Sequence, residues 1–183
     1  REGVPGAVVC AIPYVRPRDV QKSVAGETGV QKRQALEQAI SQHYHCLYEL
    51  AKQRRSEVAQ ASAKDEHGLN ESHIPIIATG HLSAMGVSQS DSVRDIYIGS
   101  LDGFDAAGFP PADYIALGHI HKAQKVAKSE YIRYCGSPIP LSFDEVKTPK
   151  QVLMLTFDAT SDTPTTPTIT PVTLPVFQPM QTI

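Results

Sequence analysis

Two glycine–histidine elements carry the chemistry this sequence offers: Gly80-His81 and Gly118-His119-Ile120-His121. Each closes an apolar run, Ile74–Thr79 in the first case and Tyr114–Leu117 in the second. Such runs read as buried strands. Histidine is therefore delivered where each strand leaves the sheet, the edge at which α/β folds bind ligands and metals. A glycine before each histidine permits a sharp turn and leaves room beside the imidazole. His119 and His121 are two residues apart, so on an extended segment their side chains point the same way. Neutral imidazole is a common ligand for divalent transition metals. The three histidines read as part of a metal centre.

What that centre would do is left open by the residues themselves. Phosphate-ester hydrolysis often uses two ions about 3.5–4 Å apart, held by histidines and a bridging carboxylate. Three histidines alone could instead hold a single zinc. No convincing carboxylate accompanies them: Asp91 and Asp95 lie in the loop after His81, and Asp113 opens the strand at its far end from His119.

The elements that must position the histidines follow from periodicity. Ala7–Ile12 reads as a buried strand closed by Pro13, and residues 18–30 as a polar loop. From Gln31 to about Ala63, Leu36, Ile40, Tyr44, Leu47, Leu50 and Ala51 recur at three- and four-residue spacing, predicting a helix packed on one side. The Ile74–Thr79 strand follows. Ile96–Ile98 reads as a short strand, Leu101–Ala107 as a short helix, and Ala112–Leu117 as a strand. Tyr131–Cys135 and Val152–Phe157 are two more strands, and the Thr/Pro-rich 160–179 is expected to be extended, as a linker or edge strand. Strand–helix–strand followed by mostly strands predicts an α/β sheet running into an antiparallel region.

Other residues invite duller readings. His43 and His45 sit on the long helix, and His67 and His73 in a polar connector, all as structural or solvated side chains. Gly136-Ser137 is either a loop contacting substrate near the site or a tight turn leaving a strand. Ser137 has no base beside it in sequence and is not read as a nucleophile. Lys122, Lys125, Lys128 and Arg133 could meet DNA phosphates, but a solvated loop is the preferred reading at this charge density. Cys135 reads as a small buried apolar residue.

Bulk properties narrow the class. The chain has 183 residues, 41% of them hydrophobic, and a net charge of −2, so a core is possible and no basic face announces a nucleic-acid partner. Three scattered cysteines argue against a disulfide framework and suit a reducing, cytoplasmic setting. No run is long enough to span a membrane. The chain opens at Arg1 on what already reads as an internal strand, so a piece of a longer protein is expected.

The two glycine–histidine elements resemble the last two motifs of the calcineurin-like metallophosphoesterases. Longer stretches, Ile76–Leu82, Ser90–Gly99, Phe109–His121 and Arg133–Glu145, are similar to the SbcD family of bacterial exonuclease subunits. The resemblance implies the C-terminal half of a metallophosphoesterase β-sandwich flanked by helices over residues 1–158. Residues 159–183 would be a linker and the start of a capping domain. It implies that His81 and His119 share one ion and His121 holds its neighbour, the ions being manganese. The remaining ligands and the histidine that assists phosphate chemistry would precede Arg1, leaving no catalytic residue here and a chain inactive by itself. The family activity is metal-dependent DNA exonuclease and endonuclease cleavage with an SbcC-type ATPase, in repair and hairpin removal. The intact protein would be a homodimer. Competing readings are a metallophosphoesterase for small phosphodiesters or nucleotides, and a non-catalytic docking piece.

Overall fold

A computed structural model describes residues 6–22, 25–62, 70–93, 103–158, 166–177 and 179–180. The expected strand at 96–98, His67 and Asp95 lie outside them.

Strand β1 (Val8–Cys10) is followed by a one-turn helix α1 (Pro17–Val20) and the long helix α2 (Gly29–Ser62). Then come β2 (Ile76–His81), β3 (Tyr114–Gly118), β4 (Gln124–Lys125), β5 (Ile132–Tyr134), β6 (Gln151–Thr156) and β7 (Thr168–Thr173). Five strands form one sheet in the order β1-β2-β3-β5-β4. The first four of these run parallel, and β4 closes the edge antiparallel to β5. Strands β6 and β7 form a separate antiparallel pair. The α/β expectation holds.

Helix α2 begins at a reciprocal cap: Thr28 N donates to Gln31 Oε1 at 2.9 Å, and Gln31 N donates to Thr28 Oγ1 at 3.3 Å. Leu36, Ile40, Tyr44 and Ala51 are buried, so the predicted stripe is real. Leu50, counted in that stripe, is instead 57% exposed, one position off the buried face. The stripe packs with Ile76 and Ala78 of β2 and Ile115 and Leu117 of β3 in one core. Fully burying a side chain such as Ile76 or Ile115 contributes about 1.5–3 kcal/mol. Tyr44 also joins Phe104 and Phe109, with ring centroids 4.7–6.2 Å apart across the three pairs.

Two expectations are corrected. The loop at 18–30 contains the end of α1, started by Pro17 and held by Arg16–Asp19 contacts. No helix runs over 103–105: Phe104 bridges to Ala84, and Met85 N donates to Phe104 O at 3.0 Å. Only a single 3₁₀ turn, Ala106–Gly108, follows, capped by Asp105. Burial of the Phe104 ring against Tyr44 and Phe109 overrides the local helical pattern there. Strand β7 carries Pro171 and is mostly exposed, as an edge strand should be.

Candidate metal centre

Parallel pairing of β2 with β3 sets His81 opposite Gly118. Both glycine–histidine elements therefore emerge at the same end of the sheet. His81 is the last residue of β2, and His119 is the first beyond β3. Their rings lie 5.4 Å apart between centroids, and the Tyr14 ring stands edge-on to His81 at 6.3 Å. His81, His119 and His121 line one cleft of about 580 Å³, together with Ser92, Gly136 and Ser137. The three histidines singled out in the sequence are thus brought together.

The glycines act differently from the simplest expectation. Gly80 and Gly118 keep strand backbone, and the sharp turn falls on His119 itself, with φ +96°. For this reason strand alternation does not orient His119 and His121. Space is what the glycines supply: a Cβ on Gly118 would lie 3.0 Å from His81 Nδ1, and one on Gly80 would lie 2.1 Å from the Tyr44 hydroxyl.

Around the histidines, hydrogen bonds fix the strand ends. Thr79 Oγ1 accepts from Ile12 N at 2.8 Å. The buried Tyr134 hydroxyl donates to Leu82 O at 2.7 Å and accepts from Ala84 N at 2.9 Å, holding the chain just past His81. Gly136 turns at φ +87°, where a Cβ would lie 2.7 Å from His121 O, and Ser137 N donates to that oxygen at 3.0 Å. The Gly136-Ser137 turn therefore supports the backbone of His121. Lys150 Nζ lies 2.9 Å from Ser137 Oγ, but it also contacts Glu145 at 2.6 Å and so is a charged donor, not a base. The Ser137 hydroxyl donates to Ile139 O at 2.8 Å, and a carbonyl cannot take its proton, so Ser137 is not activated as a nucleophile.

Sequence reasoning missed Glu145. Its side chain is 4% exposed, and it accepts from Lys150, Ser90, Ser92 and Leu141 N. Burial pushes this carboxyl up, yet the donors outweigh burial and hold it well below the usual carboxylate range. His81 is held below its ordinary value, first by burial and second by His121. A ring kept neutral in this way suits metal ligation.

The other candidates fall out as expected or are corrected. Asp113 is structural, its Oδ2 accepting from Ile76 N at 2.7 Å. Lys125 and Arg133 lie on β4 and β5 rather than in a solvated loop, and both pair with Glu130. Cys135 is half-buried on the cleft wall rather than buried.

Two neutral-capable rings side by side with a third in the same cleft fit a share of a metal centre. They do not make a whole one: among the described residues, no three His, Cys, Asp or Glu side chains gather closely enough to hold an ion. Also among them, no helix is long and apolar enough to cross a membrane.

No family model matches the chain. It is 52% identical to the SbcD subunit of the SbcCD nuclease of Escherichia coli K12 over 157 residues, 86% of this chain and 36% of that protein. The SbcD subunit of Staphylococcus epidermidis is 39% identical over 74 residues, 40% of this chain and 20% of that protein. The Bacillus subtilis one is 37% identical over 81 residues, 43% of this chain and 21% of that protein. The chain spans about a third of the length of the first of these relatives and about a fifth of the other two. Over the part it spans, the chain belongs to the SbcD family of SbcCD nuclease subunits.

Proposed function

We propose that this chain supplies one side of the metal centre of a DNA nuclease subunit. The observation that carries the reading is the convergence of His81, His119 and His121 on one cleft at the ends of adjacent parallel strands. In this reading His81 and His119 hold one divalent ion and His121 holds a second, manganese in both cases. The remaining ligands come from the part of the subunit that this chain does not span. When bound, such a pair of ions supplies the nucleophile and the charge stabilisation for attack on a phosphodiester.

The chain's own residues have a narrower task. Gly118 leaves the space that His81 occupies. Tyr134 anchors the segment after His81, and the Gly136-Ser137 turn anchors His121. Residues 1–158 belong to the nuclease domain, whose sheet forms the distal part of a metallophosphoesterase sandwich. Residues 159–183 lead toward a capping domain. The subunit works in the cytoplasm as a homodimer with an SbcC-type ATPase on DNA, in repair and hairpin removal, and the isolated chain is inactive.

The test is manganese-dependent cleavage of linear duplex DNA by the full-length protein with its ATPase partner. His119→Ala is expected to lower the rate by at least about 100-fold. An unchanged rate would sink the reading. Cleavage of bis-p-nitrophenyl phosphate without cleavage of duplex would favour a small-phosphodiester enzyme instead.

A further inference from the structure

Glu145 closes the 3₁₀ turn Phe143–Glu145, 24 residues beyond His121 in sequence and in contact with it in space. Its two oxygens face different groups. Oε2 accepts from Lys150 Nζ at 2.6 Å and from Leu141 N at 3.2 Å. Oε1 accepts from Ser90 Oγ at 2.6 Å and from Ser92 Oγ, and lies 3.1 Å from His121 Nδ1; the Ser142 hydroxyl, 3.3 Å away, gives its proton to Asp144 instead. Ser92 Oγ is itself 2.8 Å from that nitrogen.

The proton positions follow from what each group can offer. An ionised carboxylate only accepts, and a serine hydroxyl has one proton. The Ser92 proton goes to Glu145, so Ser92 presents a lone pair to the ring. Both neighbours of His121 Nδ1 are then acceptors, and Nδ1 carries the proton. In the neutral ring the lone pair is left on Nε2. Lys150 is 10% exposed and supplies the charge that keeps the buried carboxylate ionised.

We propose that Glu145 is a positioning residue of the metal centre. Together with Ser92 it locks His121 in its Nδ1–H tautomer and fixes the ring so that Nε2 is offered to a divalent cation. Ligating histidines are commonly oriented through their second nitrogen in this way. The inference rests on the reading of His121 as a metal ligand.

The test uses the full-length protein with ¹⁵N-labelled histidine. Long-range ¹H–¹⁵N correlation spectra of the metal-free protein, recorded at pH 8.5, above the ordinary histidine pKa of about 6.5, report the tautomer directly. His121→Gln assigns the signal. The wild type is expected to show Nδ1–H alone for His121, and Glu145→Gln a mixture of both tautomers. Calorimetry with manganese is expected to show affinity about 10–100-fold weaker in Glu145→Gln. Should Glu145→Gln fail to fold, Glu145→Gln with Lys150→Met removes both charges and is expected to behave the same way. An Nε2–H ring in the wild type would overturn the inference, as would an unchanged tautomer and affinity in the variant. Absence of manganese binding by the wild type would overturn the metal reading of His121, and the tautomer spectrum tells that failure from a failure of Glu145 to orient the ring.

Discussion

The Tyr44 hydroxyl stands where a side chain on Gly80 would have to be, 2.1 Å from the position of a Cβ there. Tyr44 is buried on α2, and Gly80 immediately precedes His81 on β2. The contact lets the helix lie close against the strand that presents a candidate ligand. Among the described residues the Tyr44 hydroxyl has no hydrogen-bond partner. Gly80→Ala is expected to destabilise the fold by about 1–3 kcal/mol through overpacking. Tyr44→Phe removes the obstructing, unpaired hydroxyl and is expected to stabilise by about 1 kcal/mol. The double variant should recover most of the loss. Urea unfolding of the four proteins measures the coupling, and simple additivity would show that the hydroxyl is not the obstacle.

His119 takes a backbone conformation that suits glycine, with φ +96°. Such strain costs on the order of 1–3 kcal/mol and is kept where surrounding structure enforces it. His119→Gly and His119→Ala both delete the imidazole, but only the first relieves the backbone. His119→Gly is therefore expected to be the more stable of the two by about 1 kcal/mol. Both should lose manganese binding. Equal midpoints in denaturant would mean that the turn relaxes without cost.

Tyr134 links stability to alkaline pH. Burial, only partly offset by the hydrogen bond from Ala84 N, pushes its phenol up from 10.0 to about 12. The folded state thus holds this proton more tightly than the unfolded state. Its contribution is full below about pH 10 and is lost as pH rises from about 10 toward 12. Tyr134→Phe should shrink that alkaline loss. At pH 7 it should cost about 1–3 kcal/mol, because Leu82 O and Ala84 N lose their partner. Thermal midpoints across pH 7–11 check both effects, and an unchanged alkaline slope would point to another group.

Lys150 and Glu145 stand or fall together. Lys150→Met leaves a carboxylate that is 4% exposed without its cation, and a loss of about 3–5 kcal/mol is expected. Lys150→Met with Glu145→Gln should be markedly less damaging than Lys150→Met alone. A double-mutant cycle by chemical denaturation reads the difference, and a double variant as unstable as the single one would contradict the pairing.

Periodicity makes β2, β3 and α2 legible, because each buries one face against the same core. It also places His81 and His119 at the ends of apolar strands from the residue pattern alone. The α1 turn and the bridge at Phe104 escape it, being too short for a period and decided by tertiary packing. Glu145 escapes for a different reason: it reaches His121 through a loop, and no spacing rule connects positions 121 and 145. The acidic Asp144-Glu145 pair within the stretch similar to the nuclease family is the one available signal. The strained φ at His119 is invisible in the sequence, since histidine carries no mark of a left-handed backbone.

Metal held by His81, His119 and His121 would be visible by diffraction. Crystals of the full-length protein grown with manganese, measured at the manganese absorption edge, test for it most directly. Two anomalous peaks about 3.5–4 Å apart are expected, one against His81 and His119 and the other against His121. Peaks that touch none of these rings, or none in the cleft at saturating manganese, would contradict metal binding by these histidines.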